Sequence, residues 1–142
     1  MPKADHLSAD AVKLLQEPQL AQIATVLPDG SPQITPVWVD VEPDGSQIII
    51  NTVAGNLKLK NIGANPQVAV SVVDKNNPWR FAVVRGTVVE QTTEGADEHI
   101  DKLAQKYLGQ EKYPWHQPDR QRVILRIKPH HVMERDAPRA LP

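Results

Sequence analysis

The chain has 142 residues, of which 40% are hydrophobic and 23% charged, with a formal net charge of -1. That composition fits one folded domain spanning 1–142 rather than a disordered chain, and the near-neutral charge excludes a general nucleic-acid binder, which needs a basic surface. Cys is absent, so disulfides, thiolate catalysis, iron–sulfur clusters and cysteine zinc sites are excluded.

The opening MPKADHLSADAV has no apolar signal region, and no apolar run approaches the ~20 residues of a membrane span. A cytoplasmic protein without a membrane partner is the expectation. Ser8 caps a short helix over 9–16, with Asp10 in its first turn and Pro18 beyond its end. Residues 20–27 read as a buried strand, and Pro28-Asp29-Gly30-Ser31 as a turn into a second strand over 33–41. Pro36 cannot donate to a ladder, so this strand carries a bulge or lies at an edge. Glu42-Pro43-Asp44-Gly45-Ser46 leads into a third strand, and strands joined by two Pro-Asp-Gly turns predict an antiparallel meander.

After a short helix over 56–64 come a strand over 67–73, a polar loop over 74–78 and a long strand over 79–91. Gly86 within it marks a bulge or a close approach. Thr93 caps a helix over 94–108, in which Ile100, Leu103, Ala104, Tyr107 and Leu108 keep helical spacing and which Gly109 ends. An aromatic, proline-bearing loop spans 110–121, a last strand runs over 122–128, and the tail 136–142 reads as frayed. About six strands with short hairpins and flanking helices predict a mainly β (α+β) small barrel.

The stretch 47–66 carries the main chemical signal. Its strand ends in Asn51 and Thr52, Val53-Ala54-Gly55 turns the chain, and Asn56 caps a helix with Leu57, Leu59 and Ile62 as its buried side. Lys58 and Lys60 stand in the first turn, where a cation opposes the helix dipole. An anion held at the strand–helix junction by Thr52, Asn56, Lys58, Lys60, Asn61 and free N–H groups accounts for that placement. Two solvated lysines on an exposed face account for it equally. Other chemistries find little support: there is no G-x-S-x-G, and Ser8 and Ser31 sit in a cap and a turn. Adjacent His130 and His131 point to opposite sides of an extended chain, and His99 on the acidic helix reads as solvated, so no metal site is expected.

Four ordered segments complete the pattern: Leu20 to Val26 with Gly30-Ser31-Pro32-Gln33 and Ile34-Thr35-Pro36-Val37-Trp38; Thr52 to Asn61; Asn65-Pro66 before an apolar strand; and Asn77-Pro78-Trp79-Arg80-Phe81 through Arg85-Gly86-Thr87. This set resembles the split-barrel flavin and deazaflavin oxidoreductases, the superfamily of pyridoxamine 5'-phosphate oxidase, and within it the branch that uses deazaflavin coenzyme F-420. The resemblance implies a six-stranded antiparallel split β-barrel with flanking helices, of the FMN-binding type, and a homodimer with two cofactor sites at the subunit interface. It implies that Gln33, Thr35, Pro36 and Val37 line a flavin-like ring. Asn51, Thr52, Asn56, Lys58, Lys60 and Asn61 would then receive the phosphate and the start of the tail. Trp79 and Arg80, reaching across the interface, would flank ring or tail.

The function implied is hydride transfer from reduced F-420 to an unsaturated organic acceptor such as an enone, a quinone or a tetrapyrrole, with the proton taken from solvent. FMN in the same slot is one alternative, and a flavin or deazaflavin carrier without turnover is another. Pyridoxamine phosphate oxidation calls for a second cluster of Arg and His; no clear one stands out, although Arg120, Arg122, Arg126, His130 and His131 keep it open.

Overall fold

The computed structural model describes residues 1–136. The first helix, α1 (Ala9–Gln16), starts where Ser8 Oγ accepts a hydrogen bond from the Ala11 N–H at 3.1 Å, and it buries Ala11, Val12, Leu14 and Leu15. Seven strands follow: β1 (Ala21–Val26), β2 (Pro32–Val37), β3 (Asp40–Val41), β4 (Ile48–Val53), β5 (Gln67–Asp74), β6 (Asn77–Thr92) and β7 (Arg122–Asp136). Helix α2 (Leu57–Ala64) lies between β4 and β5, and α3 (Ala96–Leu108) between β6 and β7. The strands form one antiparallel sheet in the order β2-β1-β5-β6-β7-β4-β3. With its three flanking helices this half-barrel is a split barrel fold, as expected. No helix among the described residues is long and apolar enough to cross a membrane.

Alternation along the strands supplies the core. Ile23, Val70, Val84, Ile48, Ile50, Leu125 and Ile127 point inward and pack with Leu14 and Leu15 of α1. Ile49 and Ile124 point the other way and are covered by Ala96 of α3. The sheet bends where β6 and β7 change register, between Arg85 and Gly86 and between Val88 and Glu90. A Cβ on Gly86 would lie 2.4 Å from the Lys128 carbonyl oxygen, so only glycine permits that approach.

Several sequence expectations need correction. The meander is absent: the β1–β2 and β3–β4 hairpins lie at opposite edges of the sheet. The expected second strand breaks at Trp38 and Val39 because the side chains of α3 capture the Val39 backbone. Tyr107 Oη accepts from the Val39 N–H at 3.0 Å, and Lys106 Nζ donates to the Val39 carbonyl at 2.6 Å. This break gives seven strands in place of six. Pro36, by contrast, lies on an edge strand as its missing N–H requires.

The polar loop between β5 and β6 shrinks to the turn at Lys75 and Asn76. The last helix begins at Ala96 with Gly95 at its N-cap and no side-chain cap; Thr92 Oγ1 accepts from the Glu94 N–H instead of Thr93 serving the helix. The last strand does not stop at Lys128. It runs through Pro129, whose missing N–H falls opposite Gly86 at the register shift, and on to Asp136. The expected fraying beyond Asp136 lies outside the described residues.

Candidate functional site

Local hydrogen bonds build the junction between β4 and α2. Asn56 Oδ1 accepts from the Leu59 N–H at 3.4 Å, while its Nδ2 donates to Thr52 Oγ1 at 2.7 Å, so the helix cap also fixes the end of β4. Asn61 docks the helix: its Nδ2 donates to Thr25 Oγ1 at 3.0 Å and to Gln33 Oε1 at 3.4 Å. That docking turns Lys58, Asn61 and Ile62 inward at i, i+3, i+4 spacing and leaves Leu57 46% exposed. The expected apolar side of α2 is corrected accordingly: a lysine takes the inward place assigned to Leu57.

Lys58 is only 9% exposed, yet among the described residues no carboxylate pairs with it. Burial, reinforced by the charge of Arg122, holds its ammonium below the usual lysine range. Arg122, at the start of β7, is itself half-buried. Burial lowers its pKa, Tyr113 and Asp97 oppose that shift, and Arg120 adds to it. The Arg122 guanidinium lies 5.2 Å from the centre of the Tyr113 ring, and its Nε donates to Asn51 Oδ1 at 2.8 Å.

Asn51 connects this cation to a second network. Its Nδ2 donates to the Ala96 carbonyl at 2.9 Å and to His99 Nδ1 at 3.1 Å. Because the Asn51 carbonyl faces Arg122 and both amide hydrogens face α3, His99 Nδ1 is an acceptor and the ring proton sits on Nε2. That Nε2 donates to Asp40 Oδ2 at 3.0 Å. Burial pushes the Asp40 carboxyl up, but His99, the Val41 N–H and Lys102 outweigh burial and lower it to about 2. The expectation of a solvated His99 is therefore overturned: α3 covers the outer face of β4 and presses His99 against Asn51 and Asp40.

These elements meet at a cleft of about 340 Å³. Asn51, Thr52, Asn56, Lys58 and Arg122 form its polar end, and Leu20, Pro36, Val37, Trp38, Ile100 and Tyr113 form its apolar side. Trp38 is held rigidly, stacked on Tyr107 at 4.9 Å and 4° and met edge-on by Tyr113 at 5.9 Å. Such a cleft suits a flat ring carrying an anionic arm.

Of the residues expected from sequence, Pro36, Val37, Asn51, Thr52, Asn56 and Lys58 line this cleft. Gln33 and Asn61 are engaged in docking α2, Thr35 is half-buried farther along β2, and Lys60 is exposed. Trp79 and Arg80 lie elsewhere in the protomer. Arg80 Nη1 bridges Glu17 Oε1 at 2.7 Å and Asp74 Oδ2 at 3.0 Å, and the Arg135 guanidinium lies over Trp79 at 5.9 Å. Leu20, Trp38, Ile100 and Tyr113 were not foreseen as lining residues. Arg122 was named only for a substrate phosphate, and its bond to Asn51, 71 positions away, leaves no local signal.

Comparison with known proteins identifies the family. The family described as Pyridoxamine 5'-phosphate oxidase matches residues 7–136. The chain belongs to the pyridoxamine 5'-phosphate oxidase family. Among solved structures it is similar to an F-420 reductase, at 30% identity over 89% of this chain and 98% of that one, with a TM-score of 0.77. A conserved hypothetical protein of Mycobacterium tuberculosis shares the fold at 23% identity, covering 100% and 94% of the two chains with a TM-score of 0.73. HupZ of Group A Streptococcus does so at 24% identity, covering 90% and 93% with a TM-score of 0.65. No curated protein matches the chain.

Proposed function

We propose that the protein is an oxidoreductase that binds deazaflavin coenzyme F-420 in this cleft and delivers its hydride to an unsaturated organic acceptor. The observation that carries the reading is the pair Lys58 and Arg122, two desolvated cations beside Thr52 and Asn56 with no carboxylate between them among the described residues. Unpaired buried charge is costly, and an anion bound there offsets the cost. A phosphodiester fits this donor set, and the similarity to a protein named F-420 reductase supports the choice of coenzyme.

Each part of the cleft has a role in the reading. Lys58, Arg122, Thr52 and Asn56 would hold the anionic arm, Pro36 and Val37 would lie against the ring, and Trp38 and Ile100 would keep water from its edge. When bound in its reduced form the coenzyme supplies the hydride, and water supplies the proton that completes the reduction. With a soluble anionic coenzyme, the reading has the reaction run in the cytoplasm.

The reading includes a homodimer. The outer face of β1, β5, β6 and β7 presents Ala24, Ala69, Phe81, Val83 and Met133, with Ile34 of β2 64% exposed at its margin. A second copy would cover that face, and sedimentation of the purified protein checks it.

FMN in the same cleft is the second reading, since its single phosphate also suits the donors Thr52, Asn56, Lys58 and Arg122. Fluorescence titration with F-420 and with FMN decides between them. Micromolar binding of F-420 with weaker FMN binding supports the proposal; the reverse order assigns the cleft to FMN. Binding without any oxidation of the reduced coenzyme by quinones or enones would make the protein a carrier.

A further inference from the structure

The cleft does not end at Arg122. Beyond it a second hollow of about 230 Å³ shares Val53, Tyr113 and Arg122 with the first and adds Trp115, His116 and Arg120. We propose that this hollow is an acceptor subsite that grips a carboxylate on a flat conjugated molecule, with Arg120 and Arg122 as the grip and Trp115 and Tyr113 as the platform.

Three observations carry the assignment. The loop forming the hollow is pinned at both ends rather than draped: the Tyr113 N–H donates to Asp101 Oδ1 of α3 at 2.8 Å, and the Ala54 N–H donates to the Gln121 carbonyl at 2.9 Å. An aromatic ladder runs from the interior to the rim, Tyr107 on Trp38, Trp38 to Tyr113, and Tyr113 edge-on to Trp115 at 5.6 Å. Trp115 at its end is 61% exposed, an indole held out to solvent against Tyr113. Finally, among the described residues two guanidinium groups and an imidazole line the hollow, and no acidic side chain does. Arg120 and Arg122 repel one another, and their mutual charge adds to the lowering of the Arg122 pKa. An anion between them relieves that repulsion.

The planar fork of arginine matches a carboxylate in two parallel hydrogen bonds, and a conjugated body stacks on tryptophan or tyrosine. Arg122 and Tyr113 belong to both hollows, so a molecule seated here adjoins the first cleft where its polar end meets its aromatic side. As a carboxylate site the assignment stands alone; as an acceptor site it rests on the cofactor reading above. The carboxylates of a coenzyme tail share the same chemistry, and the test must separate them from an acceptor.

The probes are 2-naphthoate and its neutral amide, 2-naphthamide, titrated calorimetrically into the purified protein, with F-420 and FMN titrated in parallel. The acid is expected to bind about 10-fold more tightly than the amide, in keeping with charge-assisted hydrogen bonds. Arg120→Gln should remove that preference and leave the amide unaffected, while Trp115→Ala should weaken acid and amide alike. Equal binding of acid and amide overturns the proposal. So does an Arg120→Gln variant that loses affinity for F-420 but not for 2-naphthoate, which would assign the hollow to the coenzyme tail. If neither coenzyme binds and the acid preference holds, the cofactor reading fails while the carboxylate site stands.

Discussion

Two cations of this protein look alike in sequence and stand in opposite circumstances. Arg80 and Lys58 both follow short motifs and both suit an anionic cofactor on paper. Arg80 meets Glu17 through two guanidinium nitrogens, at 2.7 and 3.1 Å, and Asp74 at 3.0 Å. Those partners, Glu17 foremost, raise its pKa above the ordinary arginine value. Lys58 is more deeply buried, has no carboxylate partner among the described residues, and has its pKa lowered. The first arrangement ties the end of α1 to the β5–β6 hairpin. The second leaves a charge facing a cleft, a cost that the anionic arm of the proposed coenzyme would offset.

Lys106 is a third case, a buried cation satisfied by backbone carbonyls in place of a carboxylate. Its Nζ donates to the Leu15 carbonyl at 2.5 Å and to the Val39 carbonyl at 2.6 Å, and burial lowers its pKa to about 8. Between pH 8 and 10.5 the folded protein then holds fewer protons than the unfolded chain, so stability rises with pH across that window. The shift is worth about 3 kcal/mol. Tyr107, raised to about 12 by burial, acts in the opposite sense above pH 10, so the rise is read between pH 8 and 10. Urea denaturation should show it in the wild type and a flattened profile in Lys106→Met; an unchanged profile would return Lys106 to solvent.

Asp40 offers the anionic counterpart. Its folded pKa of about 2 lies below the ordinary 3.8, so its stabilisation is present above pH 4 and is lost as pH falls toward 2. The amount is about 2 kcal/mol. Asp40→Asn should shrink the acid-induced loss by that much, measured as thermal midpoint against pH. The smallest effect belongs to Arg80: Arg80→Ala is expected to cost about 1 kcal/mol, since its ion pairs are partly solvated, and to leave coenzyme affinity unchanged. A large loss of affinity would instead place Arg80 in a site, one completed across a dimer.

Local rules made much of the fold legible. Ser8 and Pro18 bounded α1 to the residue, the two Pro-Asp-Gly turns were where they were expected, and Gly86 marked a close backbone approach. What stayed hidden was set by tertiary partners. Trp38 and Val39 continue a perfect strand alternation and leave the sheet only because Tyr107 and Lys106 claim the Val39 backbone. Pro129 reads as a strand stop until Gly86 is placed opposite it. The polar end of the cleft was half visible: Thr52, Asn56 and Lys58 are close in sequence, so cap and spacing rules reach them. Arg122 and Tyr113 arrive from the far end of the chain, and no spacing announces them. The choice between Lys58 and Lys60 was likewise made by Asn61, whose bonds to Thr25 and Gln33 set the rotation of α2.

The central claim is that Lys58 is kept for a ligand and not for the fold, and one variant tests it directly. Lys58→Met should be measured for urea stability without coenzyme and for F-420 affinity by fluorescence. The account predicts a stability equal to or about 1 kcal/mol above wild type, because a desolvated unpaired charge is removed. It also predicts an affinity loss of about 100-fold, the scale of a charge-assisted bond to an anion. A variant that is clearly destabilised and binds F-420 as wild type does would contradict it.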